Sequence, residues 1–303
     1  MQPASPYRSG FVAVVGRPNA GKSTLLNALV GQVVAGVSPW PQTTRRRQMG
    51  VLTLPDAQIL FLDTPGWHKP KTALGDAMVH TSLAALADAD AVLFLADLTQ
   101  PVGEEDRELA QKVGKHKRAE AVVLALNKSD AVTTAIREER GAEYRTLLPE
   151  SGCCVISART GDGLPSLLEG IVARLPEGPM LYPEEEITDF SEREIVADLI
   201  REAALTSLWA EVPHGVAVRV DQYKERGREG AYIEATIFVE KESHKAIVIG
   251  KGGAMLKAIG TEARKKAETM SGRKLFLQLR VKVLPGWRNR EDALRRLGYL
   301  PKK

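Results

Sequence analysis

The chain has 303 residues, 44% of them hydrophobic and 26% charged, with a formal net charge of +4. This ordinary globular composition suits about two domains and excludes a disordered, collagen-like or disulfide-framework protein. No stretch approaches the ~20 uncharged apolar residues of a membrane span, residues 1–10 hold no apolar run of a signal peptide, and the two cysteines, Cys153 and Cys154, are adjacent, so the sequence reads as soluble and cytosolic.

The first apolar run, 11–16, lacks strict alternation, as expected of a strand buried on both faces. It leads into Gly16-Arg17-Pro18-Asn19-Ala20-Gly21-Lys22-Ser23, followed by Thr24 in a helical stretch over 22–30. The motif fits G-x(4)-G-K-[ST] in the strand–loop–helix context it requires. Its glycines let backbone amides turn inward around phosphates, Lys22 reaches the β- and γ-oxygens, and Ser23 offers a hydroxyl to Mg2+. The Asn19 side chain carries a carbonyl, a hard oxygen ligand suited to K+ beside the phosphates.

A proline-bearing polar segment, 37–47, comes next. A threonine hydroxyl there can complete the Mg2+ shell when a third phosphate is present, and Thr44 is preferred over Thr43. Arg45, Arg46 and Arg47 read equally as RNA or partner contacts and as a solvated loop. The runs 51–54 and 59–63 follow. The second ends in Asp63-Thr64-Pro65-Gly66, where Asp63 is placed to hold Mg2+ and the Gly66 amide to bond a γ-phosphate oxygen. The next residue, Trp67, has no acceptor to orient an attacking water. Many GTPases use a glutamine there, so slow intrinsic turnover is expected.

Further apolar runs at 91–97, 121–127 and 153–157 alternate with helical stretches at 76–87, 104–115, 135–147 and 164–175. The rhythm predicts an α/β domain with a mainly parallel sheet covered by helices. Asn127-Lys128-Ser129-Asp130 ends one run. Asp130 can accept bonds from guanine N1–H and N2–H2 and repels adenine, which offers an acceptor at N1. Asn127 can tie neighbouring loops together, and the Lys128 stem can lie over the base. Ser157-Ala158-Arg159 ends the last run, where its backbone N–H groups can reach guanine O6. Lys22, Thr44, Asp63 and Gly66 are the expected catalytic group, with Ser23, Thr44 and Asp63 as Mg2+ ligands. The cysteines open what reads as a buried strand.

Proline-rich, acidic residues 179–190 read as a stiff, solvated linker between domains at 1–178 and 191–303. The flanks differ in charge: residues 1–180 carry 19 Lys+Arg and 19 Asp+Glu, residues 190–303 carry 23 and 15. The basic part is the better candidate for a polyanionic partner. It opens on a capping box, Ser191-Glu-Arg-Glu194, and reads α-β-β-α-α-β. Its Gly250-Lys251-Gly252-Gly253 loop lets an RNA backbone approach, with Lys251 at the contact and about four nucleotides alongside. Lys245, Lys257, Arg264, Lys265 and Lys266 can add phosphate contacts or form a solvated helix face. Ile247, Ile249 and Leu256 read as groove floor or core, and His244 as surface.

The motif GRPNAGKS, the Thr-Thr-Arg segment and a non-glutamine after DTPG resemble the TrmE–Era branch of the translation-factor-like GTPases. Ala246-Ile-Val-Ile-Gly-Lys-Gly-Gly-Ala-Met-Leu256 closely matches the core of a type II KH domain. A GTPase unit followed by such a domain is the arrangement of the Era-type family, and the resemblance extends to the closing Pro285-Gly-Trp-Arg and Leu297-Gly-Tyr-Leu. It implies a GTP/GDP-switched, Mg2+-dependent protein of small (30S) ribosomal subunit assembly, binding rRNA near its 3′ end. It also implies peripheral association with the cytoplasmic face of the membrane. A monomer is the default expectation. Arg159 departs from the family's frequent lysine and is expected to touch the base loop only through backbone and stem.

Overall fold

The computed structural model describes residues 6–38, 44–227 and 230–301. The chain forms two units, with the main division between Asp189 and Phe190.

The first holds β1 (Arg8–Val15), α1 (Lys22–Val30), β2 (Gln48–Thr53), β3 (Ala57–Asp63), α2 (Ala73–Asp88), β4 (Ala91–Asp97), α3 (Glu104–His116), β5 (Val122–Asn127), α4 (Thr134–Leu147), β6 (Gly152–Val155) and α5 (Leu164–Val172). The sheet order is β2-β3-β1-β4-β5-β6. Every pair is parallel except β2·β3, because only Leu54-Pro55-Asp56 joins those two strands and so short a link cannot make a crossover. β3, β4 and β5 are buried at every position, which explains their unbroken apolar runs. The parallel register carries the ends of β1, β3, β4 and β5 to one sheet edge: Val14 pairs with Asp63 and Asp97 with Asn127. That edge is where ligands bind in open α/β sheets.

β6 is a sheet edge, so Cys153 is exposed and Cys154 half-buried. Their run is apolar, yet a strand at the end of the order has a neighbour on one side only, and the buried reading fails there. The linker reading changes as well. Glu184, Glu185 and Glu186 are exposed, but the segment is stitched to the first unit. Gln58 Oε1 accepts from the N–H groups of Leu181 and Tyr182 (2.7 and 2.9 Å). Ile187 O accepts from Val51 N (2.9 Å), and Thr188 Oγ1 donates to Met49 O (2.6 Å). The segment thereby covers the exposed edge of β2.

The second unit holds α6 (Glu192–Ser207), β7 (Ala217–Glu225), β8 (Ala231–Val239), α7 (Glu242–Ile249), α8 (Ala254–Ser271), β9 (Leu275–Val283) and α9 (Glu291–Arg296). β7·β8 is antiparallel and β8·β9 parallel, so α7 and α8 form the crossover. The capping box opens α6. Ile195, Leu199, Ala203 and Val196, Ile200, Ala204 all enter the core against the sheet and α8. Trp287 is fully buried, donates Nε1–H to Gly215 O (2.9 Å) and stacks on Tyr299. No helix among the described residues is long and apolar enough to cross a membrane.

Candidate functional site

The glycine loop between β1 and α1 is shaped by close approaches. A Cβ on Gly16 would lie 2.4 Å from Leu95 O, and one on Gly66 would lie 2.6 Å from Pro18 Cα. Gly21 takes φ 99° and Asn19 φ 62°. Lys22 curls under the loop, 6% exposed, and its Nζ donates to Gly16 O (3.2 Å) and Arg17 O (2.8 Å). Burial lowers its pKa to about 8, with the Asp63 charge opposing the shift.

Ser23 Oγ donates to Asp63 Oδ2 (2.9 Å) and lies 2.9 Å from Thr44 Oγ1, which is itself 3.1 Å from the same carboxylate oxygen. These oxygens come from α1, the segment before β2 and the end of β3. They form a hard-oxygen set that fits Mg2+, which accepts one or two carboxylates and keeps waters. Thr43 lies outside the described residues. Arg45 is buried, which does not suit the RNA-contact reading, and the exposed Arg47 pairs with Asp88 (3.0 Å). Thr64 is fully buried and donates Oγ1–H to Val14 O (2.8 Å); its hydroxyl fastens β3 to β1. Pro65 O accepts from Ser82 Oγ (3.0 Å). Trp67 sits in the core, with its backbone N–H bonded to Gly16 O (3.0 Å). His68 Nδ1 lies 2.8 Å from Gly66 O.

Asn127 joins three loops. Its Nδ2 donates to Ala20 O (2.8 Å) and its Oδ1 accepts from Ala158 N (2.9 Å). Lys128 takes φ 64° and its Nζ reaches Asp97 Oδ2 (2.6 Å). Ser157 Oγ donates to Asp130 Oδ1 (2.6 Å), and Arg159 Nη2 to Asp130 Oδ2. These partners, the serine foremost, hold the Asp130 carboxyl below its ordinary range. Ser157 N–H is bonded to Asp162 O and Ala158 N–H to Asn127 in this structure. One expectation changes here: the Arg159 guanidinium engages the Asp130 carboxylate directly, not only backbone and stem.

Sequence reasoning missed the groups behind these residues. Asp97 anchors Lys128; its signal was a carboxylate ending an apolar run, as at Asp63. Asp106, 1% exposed, lies 3.0 Å from Arg17 Nε, and Tyr144 OH accepts from Arg17 Nη2 (3.3 Å). Burial pushes both the Asp106 carboxyl and the Tyr144 phenol up.

In the second unit, Gly250, Lys251, Gly252 and Gly253 join α7 to α8. A Cβ on Gly250 would lie 2.7 Å from that of Met255, whereas Gly252 (φ 59°) and Gly253 (φ 82°) face open space. Beside them a groove of about 430 Å³ is lined by Leu256, Lys257, Gly260, Arg264 and Leu279, among others. Leu256 belongs to the floor; Ile247 is exposed, and Val248 is the buried member of that helix. Lys245 lies 3.5 Å from Glu242, and Lys266 is held by Glu202 (2.8 Å) and Glu262 (3.3 Å), which removes Lys266 from the phosphate series. His244 is 5% exposed rather than a surface residue, with Nε2 3.8 Å from Glu211; it lies on the face of α7 that also buries Val248.

A 50S ribosome-binding GTPase family matches residues 11–128, and a KH domain family matches residues 211–288. The chain is 46% identical to GTPase Era of Caldanaerobacter subterraneus subsp. tengcongensis over 97% of its length and 98% of the relative's. It is 43% identical to GTPase Era of Ruminiclostridium cellulolyticum over 98% and 99%. Among solved structures, Era in complex with MgGDPNP and nucleotides 1506–1542 of 16S ribosomal RNA superposes with a TM-score of 0.91, at 39% identity, over 97% of this chain and 99% of that one.

Proposed function

The chain belongs to the Era family of GTPases, and from that premise we propose that it is a nucleotide-switched RNA-binding protein of 30S subunit assembly, gripping small-subunit rRNA near its 3′ end. The observation that carries this reading is the pairing in one chain of an Asn127-tied guanine site with a Gly252–Gly253 loop open to an RNA backbone. A relative's complex with MgGDPNP and nucleotides 1506–1542 of 16S ribosomal RNA supports it.

In this reading GTP seats on Gly16 to Thr24. Lys22 moves its protonated amine from the Gly16 and Arg17 carbonyls to the β- and γ-oxygens. Asp130 reads N1–H and N2–H2 in place of its contacts with Ser157 and Arg159, and a backbone N–H of Ser157-Ala158-Arg159 donates to O6. Ser23, Thr44 and Asp63 would hold Mg2+, which when bound neutralises phosphate charge. Thr44 and the Gly66 N–H respond to the γ-phosphate, and hydrolysis releases both. Turnover is slow because Trp67 is turned into the core and offers nothing to an attacking water. Asn19, at the rim of the loop, would supply a carbonyl to K+. The domains are 1–178 and 191–303, with 179–190 between them. The protein works as a monomer in the cytoplasm and touches the membrane peripherally; flotation with anionic vesicles tests the last point.

Gly252→Asp with Gly253→Asp tests the RNA assignment. Each adds a carboxylate where only open space lies, so the core is untouched, although αL geometry costs about 1 kcal/mol at each site. The double variant is expected to lose RNA binding while retaining GTP turnover. Retained RNA binding would remove the loop from the interface.

A further inference from the structure

The groove beside the glycine loop does not end the cationic surface. Arg264 lines it and also lines a second depression of about 360 Å³, shared with Arg226, Lys274, Leu275, Glu268 and Phe276. Arg226, Arg264 and Lys274 are exposed and form no ion pair among the described residues. Several neighbouring arginines are already paired: Arg273 with Glu192, Arg280 with Glu234, Arg288 with Glu240. The one carboxylate in the depression is engaged, since Glu268 Oε1 accepts from Leu275 N (3.0 Å). Against these three positive charges the depression holds one carboxylate, so it presents a net positive charge to solvent.

Phe276 sets the chemistry. β9 alternates, with Leu275 turned to the core and Phe276 turned out, 61% exposed on an edge strand. Its ring stacks on Tyr232, opposite it in β8, with centroids 5.4 Å apart and planes 14° apart. The Arg226 guanidinium lies 5.4 Å from the Tyr232 centroid. A bare aromatic on an edge is a liability that proteins ordinarily blunt with charge. An aromatic stack bordered by unpaired cations is the surface that holds single-stranded nucleic acid, the ring taking a base and the cations its phosphates.

We infer that Phe276 is a stacking platform for an unpaired RNA base lying beyond the glycine-loop groove, with Arg226, Arg264 and Lys274 on the flanking phosphates. The inference rests on the RNA-binding reading above and extends its footprint. From Gly253 to Arg264, α8 rises about 16 Å; the groove's four nucleotides occupy that stretch, and the platform takes a base after them.

The test uses the full chain with a GTP analogue and two RNAs copying the small-subunit rRNA 3′ end, four and ten nucleotides long, with 2-aminopurine scanned through the longer one. Phe276→Ala is expected to weaken the ten-mer about 5- to 150-fold and leave the four-mer unchanged, while Phe276→Tyr keeps wild-type affinity. One 2-aminopurine position should be quenched by the wild type and not by Phe276→Ala. Unchanged ten-mer affinity in Phe276→Ala would overturn the platform alone and leave this face to a protein. Equal losses for both RNAs would overturn it too, marking Phe276 as a structural cross-strand partner. Failure of the wild type to bind either RNA would overturn the RNA reading itself.

Discussion

Asp130→Asn is expected to lower GTP affinity by about 10⁴-fold and to raise affinity for xanthosine triphosphate. The physical reason is a mismatch of donors. Guanine presents N1–H and N2–H2, and the Asp130 carboxylate can accept both. Asparagine turns an NH2 toward one of them, leaving two donors opposed, and sites built on such hydrogen bonds discriminate by about 10⁴–10⁵. Xanthine carries a carbonyl at C2 and restores the pairing. The fold should survive: the Arg159 partner is largely exposed, and exposed pairs contribute about 0–1 kcal/mol. Competition between the two nucleotides measures the effect directly, and an unchanged guanine preference would remove Asp130 from the base site.

Lys22→Ala should abolish measurable nucleotide binding while making the free protein more resistant to unfolding. Both outcomes come from one buried amine. With two carbonyls as its partners, the ammonium is under-compensated until phosphate oxygens reach it. Removing one member of such a buried charged pair costs about 3–5 kcal/mol, or about 10²–10⁴-fold in affinity. The pH dependence has a definite sign. The folded pKa is about 8 against an ordinary 10.5, so the unfolded chain binds more protons between those values and stability rises with pH across that window. Below about 8 the burial cost is present in full. Wild-type GTP affinity should accordingly fall as pH climbs above about 8, because the phosphates need the protonated amine. Lys22→Ala should show neither slope. Calorimetric titration with GTP and thermal melts from pH 7 to 10 report both.

Much of this site was legible because its motifs are local. The run before Gly16, the carboxylate at Asp63 and the Asn127 amide each sit at a strand end, and parallel pairing carries them to one edge of the sheet. The loop-tying role of Asn127 could be read from its side chain alone, one donor and one acceptor in a place with three loops. What the sequence concealed depends on long-range order. Cys153 looks buried until β6 is found at the end of the sheet. The Thr64 hydroxyl has no evident partner in the sequence, and only the fold places it on Val14 O. The acidic linker looks solvated because its glutamates are, while its flanking backbone finds Gln58, Met49 and Val51 from a distant part of the chain. The surroundings of His244 and Lys266 are hidden for a related reason: a polar residue on a helix is exposed or buried according to what packs on that face, here the core beneath Val248 and the Glu202 carboxylate.

The central claim is that one chain couples guanine nucleotide to RNA. The most direct measurement is binding of the ten-nucleotide rRNA 3′-end copy with a GTP analogue and with GDP, each at two salt concentrations. Tighter binding in the GTP state is predicted, with log affinity falling against log salt at a slope of about −3.5, as about five phosphate contacts on a single strand require. Equal affinity in the two nucleotide states would contradict the switch, and affinity insensitive to salt would contradict the cationic groove.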